Sequence, residues 1–255
     1  MFDAEAGNAP AVEHPAGWPP GPPCPALSEG QAHGWLAVLD VPDAIVERLR
    51  PALSPDEAAK ADRFHDAVDR QRFVVGRGVL REILGRYVGV PAVDVRLRYD
   101  QHGKPALAAG DSSLCFNLSH SAGMGLIAVG AGRRVGVDLE RIREFDEAAK
   151  RFLSVRESQA LQALPAATRP AAACHCWVRK EAYLKARGDG LGIDPRQVEV
   201  SVDPGGPGRL IGVSGKSSEA AKWSYAQLPL ITGYAAALVV EGSTPQLTAW
   251  SWSPI

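Results

Sequence analysis

The sequence predicts a mixed α/β (α+β) protein built from two similar subdomains related by a pseudo-twofold axis, because three landmarks occur twice in the same order. LSPDE at 53–57 is matched by LSVRE at 153–157, FVVGRGVLREILG at 73–85 by WVRKEAYLKARG at 177–188, and GMGLIAVG at 123–130 by GYAAALVVEG at 233–242. The offsets of 100, 104 and 110 residues are too regular for unrelated segments and drift as an old duplication would. This register divides the 255 residues into an arm (1–30), an N-terminal α/β subdomain (31–133) and a C-terminal α/β subdomain (134–255). It also sets Arg77 opposite Glu181, so a site at the interface of the halves would be cationic on one side and anionic on the other.

Each element has a local reason. The first thirty residues hold seven prolines and four acids but no Lys or Arg, which predicts a disordered Pro-rich arm without the features of a secretory signal. Ser54 and Ser154 each precede a glutamate by three residues, the capping-box spacing, and Pro55 suits a first helical position. The helices that follow carry aromatic and aliphatic residues on one face. GKP at 103–105 is a tight turn, FNLSHS at 116–121 a polar turn after a hydrophobic start, and VGVDLE at 135–140 an alternating strand.

Composition narrows the function classes. With 45% hydrophobic residues, 22% charged and a net charge of −1, no global basic field recruits nucleic acid or an anionic membrane. No apolar run approaches the roughly 20 residues that span a bilayer. The four cysteines lack paired zinc-finger spacing and read as free buried thiols in a reducing cytoplasm.

Alternation along VGVDLE puts Asp138 and Glu140 on one face, roughly 6 to 7 Å apart. Like charges so placed repel, and a cation between them, magnesium above all, would relieve them; Arg141 or Arg143 on a solvated face is the alternative. Glu181 and Lys185 share a helix face at i, i+4 beside an aromatic stripe, either as a surface pair or as part of a site at the edge of the core. Between 60 and 86 seven Lys or Arg face four acids, with Lys60, Arg63 and Arg72 among them. A cationic first half facing a carboxylate-rich second half describes a polyphosphate site with a divalent metal.

GKP, FNLSHS, GVDLE and WVRKEAYLKARGDGL, in this order, closely resemble the signature blocks of the 4′-phosphopantetheinyl transferases, in their long pseudo-dimeric type. The resemblance covers about residues 34 to 240. It implies Mg-dependent transfer of the phosphopantetheine arm of coenzyme A to a serine of an apo acyl or peptidyl carrier protein, by a cytoplasmic monomer, with release of 3′,5′-adenosine bisphosphate. Manganese could replace magnesium. By motif, Asp138, Glu140 and Glu181 would bind the metal, with Glu181 also a candidate base, and Lys185 would hold the pyrophosphate. Ser119 and His120 would contact coenzyme A phosphates, Lys104 would line the adenine side, and Lys60, Arg63 and Arg72 would clamp the 3′-phosphate. Residues from Phe145 to Leu164 would form a lip for the carrier. A non-catalytic coenzyme A or nucleotide-binding protein of the same fold is the rival, while a kinase or nucleotidase would need a GxxxxGK[ST] loop, which does not occur.

Overall fold

The computed structural model describes residues 15–101, 103–108, 113–145, 149–188 and 192–254. The first half runs β1 (Gln31–Val38), α1 (Asp43–Leu49), α2 (Pro55–Ala61), α3 (Ala67–Val88), the hairpin β2 (Leu97–Tyr99) and β3 (Pro105–Leu107), then β4 (Leu114–Ser121) and β5 (Met124–Ala131). The second repeats the plan with β6 (Val135–Arg141), α4 (Val155–Ala163), α5 (Arg169–Arg187), the pair β7 (Val198–Val200) and β8 (Leu210–Val213), α6 (Ser217–Ala220), β9 (Trp223–Ala226) and β10 (Tyr234–Glu241). A last strand, β11 (Gln246–Ser251), follows. The strand order β1-β5-β4 recurs as β6-β10-β9, with every pairing antiparallel.

Both capping boxes form: Ser54 and Ser154 accept the backbone N–H of Glu57 and Glu157, whose carboxylates reach back to the serine N–H groups. Each glutamate also receives a buried cation from the long helix, Arg81 at 2.7 Å and Lys180 at 2.6 Å. Long helix and capping box are thereby tied together inside each half. α3 and α5 both end at a left-handed glycine, Gly89 (φ 70°) and Gly188 (φ 85°), where a side chain would be strained.

These fixed points correct the helix register read from the sequence. Arg81 and Lys180, and likewise Gly89 and Gly188, are 99 residues apart, which sets Glu82, not Arg77, opposite Glu181 and sets Arg86 opposite Lys185. Short apolar patterns can slide along each other, whereas a cap and a buried ion pair cannot.

Apolar packing forms three main clusters. One lies under α3 (Trp35, Val79, Ile83), one under α5 (Val178, Tyr183, Val239), and one joins the sheets of the two halves (Leu36, Leu126, Val137, Leu238). Two expected boundaries shift. β11 lies parallel against β1, Gln31 opposite Gln246 through Leu36 opposite Ser251, so the first half's sheet takes its fourth strand from the expected C-terminal subdomain. The free edge of β1 provides the unpaired backbone groups that β11 satisfies.

The second shift concerns the arm, of which residues 1–14 lie outside the described residues. Residues beyond them are anchored at a few points, in contrast to the expected disorder. Trp18 is 1% exposed within the cluster between the sheets and its indole donates to the Leu230 carbonyl, while Gly21 N–H donates to Ser251. A buried tryptophan removes enough apolar surface from water to fix a proline-rich segment. The cysteines are free thiols, with Cys174 and Cys176 buried and Cys24 exposed in place of the expected burial. Among the described residues no helix is long and apolar enough to cross a membrane.

Candidate active site

β6 alternates as its sequence dictates: Val135, Val137 and Leu139 enter the cluster between the sheets, leaving Gly136, Asp138 and Glu140 toward α5. Gly136 decides how closely that helix approaches. A Cβ there would stand 2.1 Å from the Ala182 carbonyl oxygen and 2.5 Å from the Ala186 nitrogen. Glycine therefore lets α5 rest on the strand, and Glu181 and Lys185, the neighbours of those alanines, come to the level of Asp138 and Glu140.

The carboxylates are strongly coupled. Asp138 is 4% exposed; its Oδ1 accepts from Lys185 Nζ at 2.6 Å and from Ser119 Oγ at 2.7 Å, while its Oδ2 is buried with no hydrogen-bond donor. Burial pushes its pKa up, against the pull of Lys185 and Ser119. Glu181 is also raised, by burial first and then by the charge of Asp138, with Glu140 adding and Lys185 opposing. Glu140 Oε2 accepts from Ser121 Oγ at 2.8 Å.

The other wall is an edge strand of the first half. β6 is paired with β10 on one side only, and β4 with β5 on one side only. These two edges meet through side chains. Asn117 Oδ1 accepts the Val137 N–H at 2.9 Å, Ser121 Oγ accepts the Arg141 N–H at 3.1 Å, and Ser119 and Ser121 donate to the two acids of β6. The FNLSHS block thus spends Asn117, Ser119 and Ser121 on holding β6.

The structure brings Asp138, Glu140, Glu181, Lys185, Ser119 and His120 into one region and deploys the remaining predicted residues otherwise. The three expected metal ligands do not stand as a cluster: among the described residues no group of three or more His, Cys, Asp or Glu side chains is arranged to hold a metal ion. Lys185 Nζ contacts Asp138 and Ser121 Oγ contacts Glu140. Ser119 is turned inward, accepting from Lys185 Nζ at 3.0 Å while donating to Asp138. His120 is surface-accessible, yet partial desolvation and then the charges of Lys185 and Arg77 pull its pKa below the usual range.

Lys104 crosses from the β2–β3 hairpin to the end of α5, where its ammonium donates to the carbonyls of Lys185 (2.6 Å) and Ala186 (3.3 Å); desolvation lowers its pKa. It stabilises the negative end of the helix dipole and fixes the turn that carries Lys185. Arg72 forms a two-point bridge with Asp40, Nε–Oδ1 2.6 Å and Nη2–Oδ2 2.8 Å. The Lys60 ammonium lies over the Phe73 ring at 5.3 Å, and Arg63 is exposed.

FNLSHS, expected as a polar turn carrying Asn117, Ser119 and His120, instead forms the end of β4, so sequence reasoning missed the bridging by Asn117 and Ser121 and also the proximity of Arg77 to His120. The period-2 spacing of Asn117, Ser119 and Ser121 was the available signal, because it marks one side of a strand. Arg77 has a buried Nη1 without a hydrogen-bond partner and packs over Phe73.

Residues 134–239 match the 4′-phosphopantetheinyl transferase superfamily and residues 44–131 the 4′-phosphopantetheinyl transferase N-terminal family. The chain is 38% identical over 240 residues to 4′-phosphopantetheinyl transferase HetI of Nostoc sp., covering 92% of this chain and 98% of that protein. It is 33% identical over 168 residues to a protein of Synechocystis sp. named as a putative 4′-phosphopantetheinyl transferase, slr0495, with 64% and 68% of the two chains covered. Its identity to 4′-phosphopantetheinyl transferase psf-1 of Bacillus pumilus is 34% over 147 residues, 57% and 62% of the two chains. A carboxylate set and a lysine held at the junction of two matching halves, and similarity along nearly the whole length of such a relative, make this chain a member of the 4′-phosphopantetheinyl transferase family.

Proposed function

We propose that the chain transfers the 4′-phosphopantetheine arm of coenzyme A to a serine hydroxyl of an apo acyl or peptidyl carrier protein, with magnesium, and releases 3′,5′-adenosine bisphosphate. The observation that carries this reading is the pairing of a carboxylate-rich face, Asp138, Glu140 and Glu181, with Lys185 at the junction of the halves. Asp138 Oδ2 is buried without a donor among the described residues, and the hard oxygen donors of this face suit a small divalent cation. Asp138, Glu140 and Glu181 would hold magnesium, or manganese in its place, once the Asp138–Lys185 contact loosens. The ion would supply charge neutralisation at the pyrophosphate.

The chain's own residues account for the other requirements. A serine hydroxyl is a weak nucleophile and needs a base. Glu181, one turn from Lys185 on the same face of α5, would take the serine proton as the new O–P bond forms. Lys185 then turns its ammonium to the oxygen that leaves with the adenosine bisphosphate when the pyrophosphate P–O bond breaks. His120, Arg77 and the exposed Lys60 and Arg63 would receive the coenzyme A phosphates from the first half. For the carrier, a groove of about 600 Å³ in the second half joins Phe145, Arg151, Leu153 and Leu161 of the expected lip to Arg169 beyond it, with Glu144 at its border, and combines apolar and charged surface.

Incubation of the full chain with coenzyme A, MgCl2 and a panel of apo carrier proteins, followed by mass spectrometry of the carriers, tests the reading. One phosphopantetheine should be added to at least one carrier, and addition should stop with EDTA. No mass gain on any carrier overturns the proposal.

A further inference from the structure

We infer that Ser121 is a positioning residue, which aims Glu140 at the divalent cation from across the junction between the halves. The inference rests on the metal site proposed above and concerns a residue with no part in binding coenzyme A there. Among the described residues the two edge strands β4 and β6 meet without a backbone ladder, so β6 is tied to β4 by the β4 side chains that reach it. Ser121 makes two of those bonds with one oxygen. It accepts the N–H of Arg141 at 3.1 Å and donates its own proton to Glu140 Oε2 at 2.8 Å.

The two bonds act in series. The first fixes where the serine oxygen stands relative to the β6 backbone, and the second uses that fixed oxygen to hold one carboxylate oxygen of the preceding residue. Glu140 has three rotatable side-chain bonds and is only partly buried, so without this anchor it would sample several rotamers. With Oε2 held, Oε1 would be the oxygen left for a cation on the strand face that Glu140 shares with Asp138. Outer hydrogen bonds of this kind orient ligating carboxylates, and their loss commonly weakens metal binding about 10- to 100-fold.

Ser119 makes a related bond to Asp138 but also accepts from Lys185, so its removal disturbs a charged pair. Among the described residues the Ser121 hydroxyl touches no cationic side chain, which makes it the cleaner test. Its side chain also lies on the same strand as His120 but on the alternate side, so removing the hydroxyl leaves that ring in place.

The test is Mn2+ binding to the full chain, followed by electron paramagnetic resonance without coenzyme A, for the wild type, Ser121→Ala and Ser121→Thr. Ser121→Ala should raise the Mn2+ dissociation constant by about tenfold, and Ser121→Thr, which keeps the hydroxyl, should restore most of it. In transfer assays the alanine variant should need more Mg2+ for half-maximal rate and regain much of its maximal rate at saturating Mg2+. Circular dichroism melts confirm that each variant is folded; if the alanine variant is not, Ser121→Cys replaces it in the same measurement, with the same expected weakening. Unchanged Mn2+ affinity in a folded variant lacking the hydroxyl overturns the role of Ser121 while leaving the transferase reading intact. Failure of the wild type itself to bind Mn2+ removes the metal site and this inference with it.

Discussion

The two halves place a glutamate and a cation one turn apart at the same level of their long helices, Glu82 and Arg86 on α3, Glu181 and Lys185 on α5. What lies beneath them differs. Trp35 of β1 pairs with Ile127 as Asp138 of β6 pairs with Ala237, and these partners are the fourth residues of two eight-residue strands. By the same count Ala37 stands where Glu140 does. In the first half the helix pair is therefore absorbed into structure: Arg86 lies over the Trp35 ring at 5.3 Å and donates to the Ser253 carbonyl, and Glu82 accepts from the Trp252 indole at 2.9 Å. In the second half the same pair faces two acids. The far edge differs as well, since β11 closes β1 with a backbone ladder whereas β6 is met only by side chains of β4. One frame thus yields a packed core or a charged cleft, according to two strand residues and what seals the edge.

The sharpest way to break this comparison is to remove the same group from each half. Glu181→Gln should slow carrier modification by about 10²- to 10⁴-fold, the usual contribution of a general base. Glu82→Gln should leave modification intact and register only as a lower melting temperature. Equal losses of transfer in both variants, read by mass spectrometry of the carrier, would erase the distinction between the helices.

The buried cations come next. Lys180→Met leaves buried Glu157 without a cation, held by the Ser154 and Val200 N–H groups and the Cys176 thiol, and should cost about 3–5 kcal/mol in urea unfolding. Arg81→Met should cost less, because Glu57 keeps the Tyr99 hydroxyl at 3.1 Å and Arg77 at 4.0 Å. The reverse order would show that the two capping-box glutamates are not held as equivalents.

The smallest effect is a pH dependence. His33 is 2% exposed and burial lowers its pKa to about 4; His175 of α5 is also lowered to about 4, by burial and then Arg179. The unfolded chain takes up protons near pH 6.5 that the folded chain refuses until about pH 4, so stability is complete above 6.5 and falls across that window. For His33 the loss amounts to at most about 3 kcal/mol. Chemical denaturation at stepped pH should show a slope that His33→Gln flattens in part; an unchanged slope would assign it to the second half alone.

Much of this was legible because it is local. The capping boxes, the Gly-led strands and the alternation of Asp138 and Glu140 each depend on residues within a few positions of one another. The helix register was misread because residue type was matched where only caps and the buried partners of Arg81 and Lys180 fix the count. The return of β11 to β1 joins residues more than two hundred positions apart, and no pattern within Gln246–Ser251 announces its neighbour. Trp18 was hidden among prolines, and the burial of Lys180 ran against the ordinary exposure of lysine. Lys104 and Arg72 were recognised as cations, but the carbonyls and carboxylate that occupy them come from other elements.

The route of β11 sets an order of assembly during synthesis. Although β1 is made early, its outer edge stays open until Gln246–Ser251 has left the ribosome. The second half, whose three-stranded sheet, β7–β8 pair and helices are all made before that point, can complete its own pairing sooner. The nascent first half consequently carries an unpartnered strand edge while the residues between Val38 and Gln246 are made, the kind of surface that chaperones cover and that seeds aggregation when they do not.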